Sequence, residues 1–247
     1  MCIIIAKQQG VAFPNKKILQ TCFLNNPNGA GFMWSDGKQV FYKKGYMTFT
    51  KFYKDLREIR EKYGDNIPYV LHFRIATQGG INERCCHPFP ISSNMLDLEV
   101  LNGECDVALA HNGIISSCSS GYQVTITYSD TMKFITDYAS LIINDYQYYN
   151  DKDKCKLLER IADSRLAILS KDKHIEILGK GWVKDNGILY SNTSYIPYTY
   201  KYSKYYIAED YDVEEIYHYY PQTCPNITDG NINYCEQCIS KNICWQE

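Results

Sequence analysis

No stretch of this sequence approaches the roughly 20 consecutive apolar residues that a bilayer-spanning helix needs, so a helical membrane span is excluded. Charge of one sign is also missing. Lysine and arginine number 26 against 28 aspartates and glutamates, a formal net charge of −2. No global field therefore draws the chain to nucleic acid or to an anionic membrane. The apolar run Ile3-Ile4-Ile5-Ala6 has no basic region before it and lacks the length of a signal peptide, which predicts a cytoplasmic chain. Neither a P-loop nor a dinucleotide fingerprint occurs, so no ATP or NAD site is expected. No internal repeat is present.

What the sequence does have is 247 residues, 45% of them hydrophobic, enough for one domain with a sizeable core and an appendage. It also has 11 cysteines, which in a cytosolic chain point to free thiols, a metal site or a nucleophile rather than to disulfides.

Periodicity places the elements. Met1 to Lys7 reads as a buried strand. Gly31 to Ser35 and Gln39 to Lys43 flank Asp36-Gly37, a hairpin signal. Phe49, Phe52, Tyr53, Leu56, Ile59 and Tyr63 recur at helical spacing and predict a helix over 49–63. Tyr69 to Ile75 and Asp106 to Ala110 read as strands, the second ending in a loop at His111-Asn112-Gly113. Ser129 and Asp130 begin a helix whose inner face carries Phe134, Ile135, Tyr138, Leu141 and Ile142. A further helix is expected over 153–163, then a hairpin of Arg165 to Leu169 with His174 to Leu178. Strands, helices and strands again suggest a layered α+β domain with mostly antiparallel sheets. Beyond about Asn192 tyrosines become dense and four cysteines follow Thr223, so the expected division is a domain over 2–195 and an extension over 196–247.

Cys2 is the first chemical candidate. Methionine aminopeptidases remove Met1 when the second side chain is small, and cysteine qualifies. One residue would then carry a thiol and a free α-amine with a reference pKa of about 7.7–8.0. A thiol with a built-in base is an activated nucleophile. Taken alone, Cys2 reads first as a small hydrophobe in an edge strand and only second as a nucleophile.

Five further motifs accompany it: Asn26-Pro27-Asn28-Gly29-Ala30-Gly31-Phe32, His72-Phe73-Arg74-Ile75-Ala76-Thr77-Gln78-Gly79, Cys86-His87-Pro88-Phe89, Ala110-His111-Asn112-Gly113 and Ser129-Asp130-Thr131. In this order behind an N-terminal Met-Cys, they resemble class II glutamine amidotransferases, members of the N-terminal nucleophile hydrolase superfamily. The resemblance spans about residues 2–192, and Ser164 to Leu169 with Gly187 to Asn192 look like the family's closing strands. It implies a four-layer αββα sandwich of antiparallel sheets, with the cysteine-rich C-terminal segment as a small appendage.

The resemblance also implies roles. Cys2 attacks the side-chain amide of glutamine and forms a γ-glutamyl thioester. Asn112 and the Gly113 N–H hold the oxyanion, Arg74 grips the α-carboxylate, Asp130 accepts from the α-ammonium, and Thr77 and Gln78 complete the pocket. Many members carry histidine where Gln78 stands, and Cys85-Cys86 is an unusual pair in this loop. Each residue also has a local reading. Asn112-Gly113 can be a type I′ turn, Asp130 a helix cap, Arg74 half of an ion pair. His72 and His111 read as structural, and His87 as fixing a loop near the pocket.

The tail stands outside the resemblance. Cys224, Cys235, Cys238 and Cys244 follow the spacing Cys-x10-Cys-x2-Cys-x5-Cys. Four thiolates can enclose a structural zinc or ligate an iron–sulfur cluster, and free or disulfide-bonded cysteines remain alternatives. No cofactor is expected for catalysis. The chain has no room for a synthase domain, so a separate ammonia-accepting synthetase is the expected partner, with glutamine as substrate. Competing readings are another γ-glutamyl or small-amide hydrolase on the same fold, a non-catalytic binding module if Met1 is retained, or a hydrolase using Cys85 or Cys86.

Overall fold

A computed structural model describes residues 2–77, 79–118 and 128–197. Gln78 and the four tail cysteines, Cys224, Cys235, Cys238 and Cys244, lie outside the described residues. Up to Ile196 the chain packs as one compact unit. The elements run in the order β1 (Ile3–Lys7), α1 (Lys16–Asn25), β2 (Ala30–Ser35), β3 (Val40–Tyr46), α2 (Phe49–Tyr63) and β4 (Tyr69–Phe73). Then come β5 (Phe89–Pro90), α3 (Met95–Glu99), β6 (Asn102–Cys105) and β7 (Val107–Asn112). The last part holds α4 (Asp130–Phe134), a π turn (Ile135–Ala139), α5 (Ser140–Ile142), α6 (Lys152–Ala162), β8 (Arg165–Ser170), β9 (Ile175–Leu178), β10 (Val183–Asp185) and β11 (Ile188–Tyr190).

Local chemistry accounts for the boundaries. Between β2 and β3, Asp36 Oδ1 accepts from the N–H groups of Lys38 and Gln39, and Gly37 supplies a φ of +98°. α2 stops at Gly64, whose φ of +66° suits glycine and whose N–H closes on Arg60 O. Asp151 caps α6 by accepting from Asp153 and Lys154 N–H.

The strands form two antiparallel sheets, β10-β11-β1-β4-β2-β3-β6 and β5-β7-β8-β9. β1 is therefore interior, not an edge strand. It pairs with β4, placing Ile3 opposite Phe73, and with β11, placing Ile5 opposite Tyr190. The protein is an α+β fold with antiparallel sheets, and strand alternation sorts its apolar side chains into three layers. Ile3, Ile5, Phe32, Leu71 and Phe73 face α1 and α2, meeting Leu19, Phe23, Phe52 and Leu56. Ile4, Ala6, Met33, Val70, Ala108, Ala110 and Leu169 fill the space between the sheets. Leu109, Leu166 and Ile168 pack against Met132, Phe134 and Leu158 of the remaining helices. Phe52 is fully buried, and burial of such a side chain contributes about 1.5–3 kcal/mol.

Gly31 shows how closely the loop carrying His87 approaches β2. A Cβ at this position would collide with the carbonyl oxygen of His87 and would lie 2.7 Å from Lys44 Cβ. Lys44 is itself buried, with Nζ donating to Arg84 O at 2.9 Å and Leu98 O at 2.5 Å above the Phe89 ring. Burial lowers its pKa to about 7. Lys44 pins the 84–98 segment to β3, and so helps hold the loop that carries His87.

Candidate active site

Cys2 immediately precedes β1. The alternation that sends Ile3 and Ile5 to the helix side sends Cys2, Ile4 and Ala6 between the sheets. Its partner strand has just ended, so the thiol meets the exposed backbone of Ile75. Ile75 N–H donates to Cys2 Sγ at 3.3 Å, and Sγ lies 3.4 Å from Ile75 O. Burial pushes the Cys2 thiol above its ordinary pKa, while the Ile75 N–H and the Arg74 charge pull it down. A thiol raised in this way stays protonated near neutrality and needs a base to become a nucleophile.

One cavity, about 20 Å³ in volume, opens beside this thiol. Its walls include Cys2, Arg74 and Thr77 from one side and Gly113 and Asp130 from the other. These residues stand far apart in sequence and were all expected at the site. His87, His111, Ser129 and Thr131 complete much of the wall.

Arg74 is nine-tenths buried or more, and its Nη1 donates to Gly80 O at 2.7 Å. Its own backbone is fixed by exchange with the Asn28-Gly29 turn, Asn28 N–H to Arg74 O and Arg74 N–H to Gly29 O. Gly79, with φ +77°, leaves room for Cys85 Sγ and Ser129 N, which a Cβ would meet at 2.9 and 3.0 Å. Cys85 Sγ donates to Gly79 O at 3.2 Å, and Asn82 Nδ2 reaches the same oxygen at 2.7 Å. The Cys85 side chain thus shapes the loop that anchors Arg74.

Asp130 is the first residue of α4, and Ser129 is its cap, accepting from Met132 N–H at 3.3 Å. The capping role considered for Asp130 therefore belongs to Ser129. Asp130 Oδ2 accepts from Ile115 N–H and Oδ1 from Thr131 N–H, both at 2.8 Å. A carboxylate has about four lone-pair positions, so acceptor capacity remains for a cation.

Asn112 departs from the expectation of a turn. It ends β7, paired opposite Arg165, so Asn112-Gly113 is not a type I′ turn. Gly113 has φ +152°, and a Cβ there would stand 2.6 Å from Ser164 Cβ. The Asn112 side chain is fully buried and is not part of the cavity wall; its Nδ2 donates to Ser191 Oγ at 2.7 Å. Ser191, Asn192 and Thr131 had no assigned role in the sequence reading. Thr131 was visible beside Asp130, but Ser191 gives no local signal, because its partners lie 79 and 187 residues away.

His87 and His111 in the cavity wall cluster with His72, and hydrogen-bond accounting assigns their tautomers. If Thr131 Oγ1 gives its proton to Asp130 Oδ1, 3.4 Å away, it accepts from His111 Nδ1 at 2.8 Å and His87 Nε2 at 3.2 Å. His111 Nε2 then accepts from Ser164 Oγ at 2.7 Å. His72 Nε2 donates to His111 O at 3.0 Å. The remaining nitrogens, Nδ1 of His72 and of His87, are buried without partners, consistent with unprotonated rings. Burial lowers the pKa of His72 to about 3 and of His111 to about 4, with Asp130 opposing the shift at His111. Burial and the neighbouring histidines also push His87 well below its ordinary value. Burial thus keeps the three rings neutral near pH 7.

Among the described residues no cluster of histidine, cysteine, aspartate or glutamate could hold a metal ion. Nor is any helix among them long and apolar enough to cross a membrane.

The chain matches no family model, and no curated protein matches it. Among solved structures it is similar to glutamine phosphoribosylpyrophosphate (PRPP) amidotransferase from B. subtilis complexed with ADP and GMP, at 18% identity and a TM-score of 0.44. The match covers 77% of this chain and 42% of that one, so the chain spans less than half the length of the protein it resembles.

Proposed function

We propose that the protein hydrolyses the side-chain amide of glutamine through Cys2, on an N-terminal nucleophile hydrolase fold of the class II glutamine amidotransferase type. The observation that carries this reading is the convergence of a thiol, a guanidinium and a carboxylate on one cavity: Cys2, Arg74 and Asp130. An α-amino acid head group needs an anion grip and a cation partner, and Arg74 and Asp130 supply them.

With Met1 removed, the α-amine of Cys2 takes the thiol proton, and Sγ adds to the amide carbon. The Gly113 N–H, in the cavity wall, stabilises the oxyanion that forms, and the Asn112 amide, buried against Ser191, would join it once the wall has moved to admit substrate; one such donor is worth about 3–4 kcal/mol in comparable sites. Collapse breaks the C–N bond, the amine returns its proton to the departing nitrogen, and ammonia leaves. Water then cleaves the γ-glutamyl thioester, giving glutamate and free Cys2. The cavity has room for about one water molecule, so glutamine requires its wall to move, and Thr77 is the exposed part of that wall.

The ammonia would serve a separate synthetase. For Cys224, Cys235, Cys238 and Cys244 the proposal is one structural zinc, resting on spacing alone; metal analysis of the purified chain tests it.

The function is tested by intact mass and turnover together. Loss of Met1, labelling of Cys2 by a glutamine-mimicking electrophile, and ammonia release that disappears in Cys2→Ala are expected. Activity that survives Cys2→Ala, or turnover of other amides with glutamine inert, would overturn the reading. A retained Met1 with no activity would favour a binding module.

A further inference from the structure

Ser191, just beyond β11, makes three hydrogen bonds that join two otherwise separate parts of the site. Its N–H donates to Ile4 O at 3.0 Å, and its Oγ accepts from Ile4 N–H at 2.8 Å. This extends the β1–β11 ladder with a side-chain oxygen in place of a carbonyl, and it fixes Oγ relative to the strand that carries Cys2. The same Oγ accepts from Asn112 Nδ2 at 2.7 Å. The next residue reaches the nucleophile itself. Asn192 Nδ2 donates to Cys2 O at 2.6 Å. Asn192 cannot turn away, because its Oδ1 accepts from Ser194 N–H at 2.9 Å and Ser194 Oγ at 2.6 Å.

The Asn112 amide is held but not saturated. Its Oδ1 is buried without a partner. A hydroxyl can donate as well as accept. If the amide makes a half-turn, the Ser191 hydroxyl donates to Oδ1, and Nδ2, released from Ser191, can donate to a developing oxyanion.

We propose that Ser191 is a positioning residue for the Asn112 amide, holding it in register with Cys2 in either orientation. The inference rests on the glutaminase reading above and adds to it a determinant outside the cavity. A residue that only completed the β1–β11 ladder would be indifferent to whether Asn112 is present.

The test uses the full chain with Met1 removed. Ser191→Ala is expected to lower kcat for glutamine about 10- to 100-fold with KM within about twofold, since it acts on transition-state donors and not on the head-group grip. Alkylation of Cys2 by iodoacetamide, which forms no oxyanion, is expected to be unchanged. In an Asn112→Ala background the Ser191→Ala loss should vanish. Ser191→Cys fills the same space with a poor hydrogen-bonding atom, and it carries the same comparison if the alanine variant does not fold. Unchanged kcat, losses that multiply with Asn112→Ala, or a parallel fall in iodoacetamide reactivity would each overturn the proposal. Wild-type protein inert toward glutamine defeats the functional reading, and the Ser191 role with it. Active wild type with an equally active Ser191→Ala defeats the Ser191 role alone.

Discussion

His111 Nδ1 and Thr131 Oγ1 share a hydrogen bond of 2.8 Å, and this contact links the strand that ends at Asn112 to the helix that begins at Asp130. The oxyanion side and the ammonium side of the proposed site are thereby set against each other through one hydroxyl.

Thr131→Val removes that hydroxyl and leaves His87 Nε2–H and His111 Nδ1–H buried without an acceptor. Each unmade bond costs about 1–3 kcal/mol. Urea unfolding should show a loss of roughly 2–5 kcal/mol, with Thr131→Ser recovering most of it. An unchanged midpoint would mean that the tautomers assigned above are wrong.

The same histidines set an acid limit. In the unfolded chain each titrates near pH 6.5, whereas His72 and His111 are held to about 3 and 4 in the fold. Below pH 6.5 the unfolded chain therefore binds protons that the folded chain refuses. Stability is complete above that pH and falls until about pH 4, by roughly 1 kcal/mol per histidine at pH 5.5. Unfolding free energies measured from pH 7.5 to 5 should decline, and His72→Gln should flatten the slope. A flat profile in the wild type would refute the assignment.

Arg74→Lys keeps a positive charge but loses the planar fork and the bond to Gly80 O. Glutamine KM should rise about 10- to 100-fold, with a smaller effect on kcat, because a head-group contact is made equally in ground and transition states. A fall in kcat at constant KM would move Arg74 from substrate binding to the chemical step.

Gly113→Ala places a methyl 2.6 Å from Ser164 Cβ at a φ of +152°. The neighbouring strand must shift, and turnover should fall at least about 100-fold if the Gly113 N–H loses its aim. Pairing it with Ser164→Gly relieves the contact and should restore part of the rate. No restoration would mean that the backbone angle, not the collision, sets the requirement.

The regular elements were legible because their patterns are local. The 49–63 helix appears with the same limits, and the Asp36-Gly37 hairpin and the Arg165 to Leu178 hairpin stand where expected. α1 was not anticipated: its buried face rests on Leu19, Cys22 and Phe23, too few apolar positions to show a period above the polar residues between them. The short strands β5, β6 and β10 were missed because strand pairing, not composition, defines them. β7 was ended too early because Asn112-Gly113 looks like a turn until β8 supplies Arg165 as a partner. At the site, the residues that touch the cavity were identifiable from their motifs. The residues that hold those residues, Ser164, Ser191 and Asn192, were not, since a serine or asparagine acquires such a role only from a partner far along the chain.

The π turn at Ile135–Ala139 follows α4 directly, and its buried Ile135 and Ala139 face the core while Leu141 beyond it is exposed. Such a turn holds one residue more than an α-helix of 3.6 residues per turn would. Ser129, Asp130 and Thr131 lie upstream of that surplus residue. A one-residue deletion within 135–139 should regularise the helix, swing the exposed end around its axis, and leave the carboxylate undisturbed. On that outcome the segment is an expansion joint, where changes in chain length are absorbed before they reach Asp130.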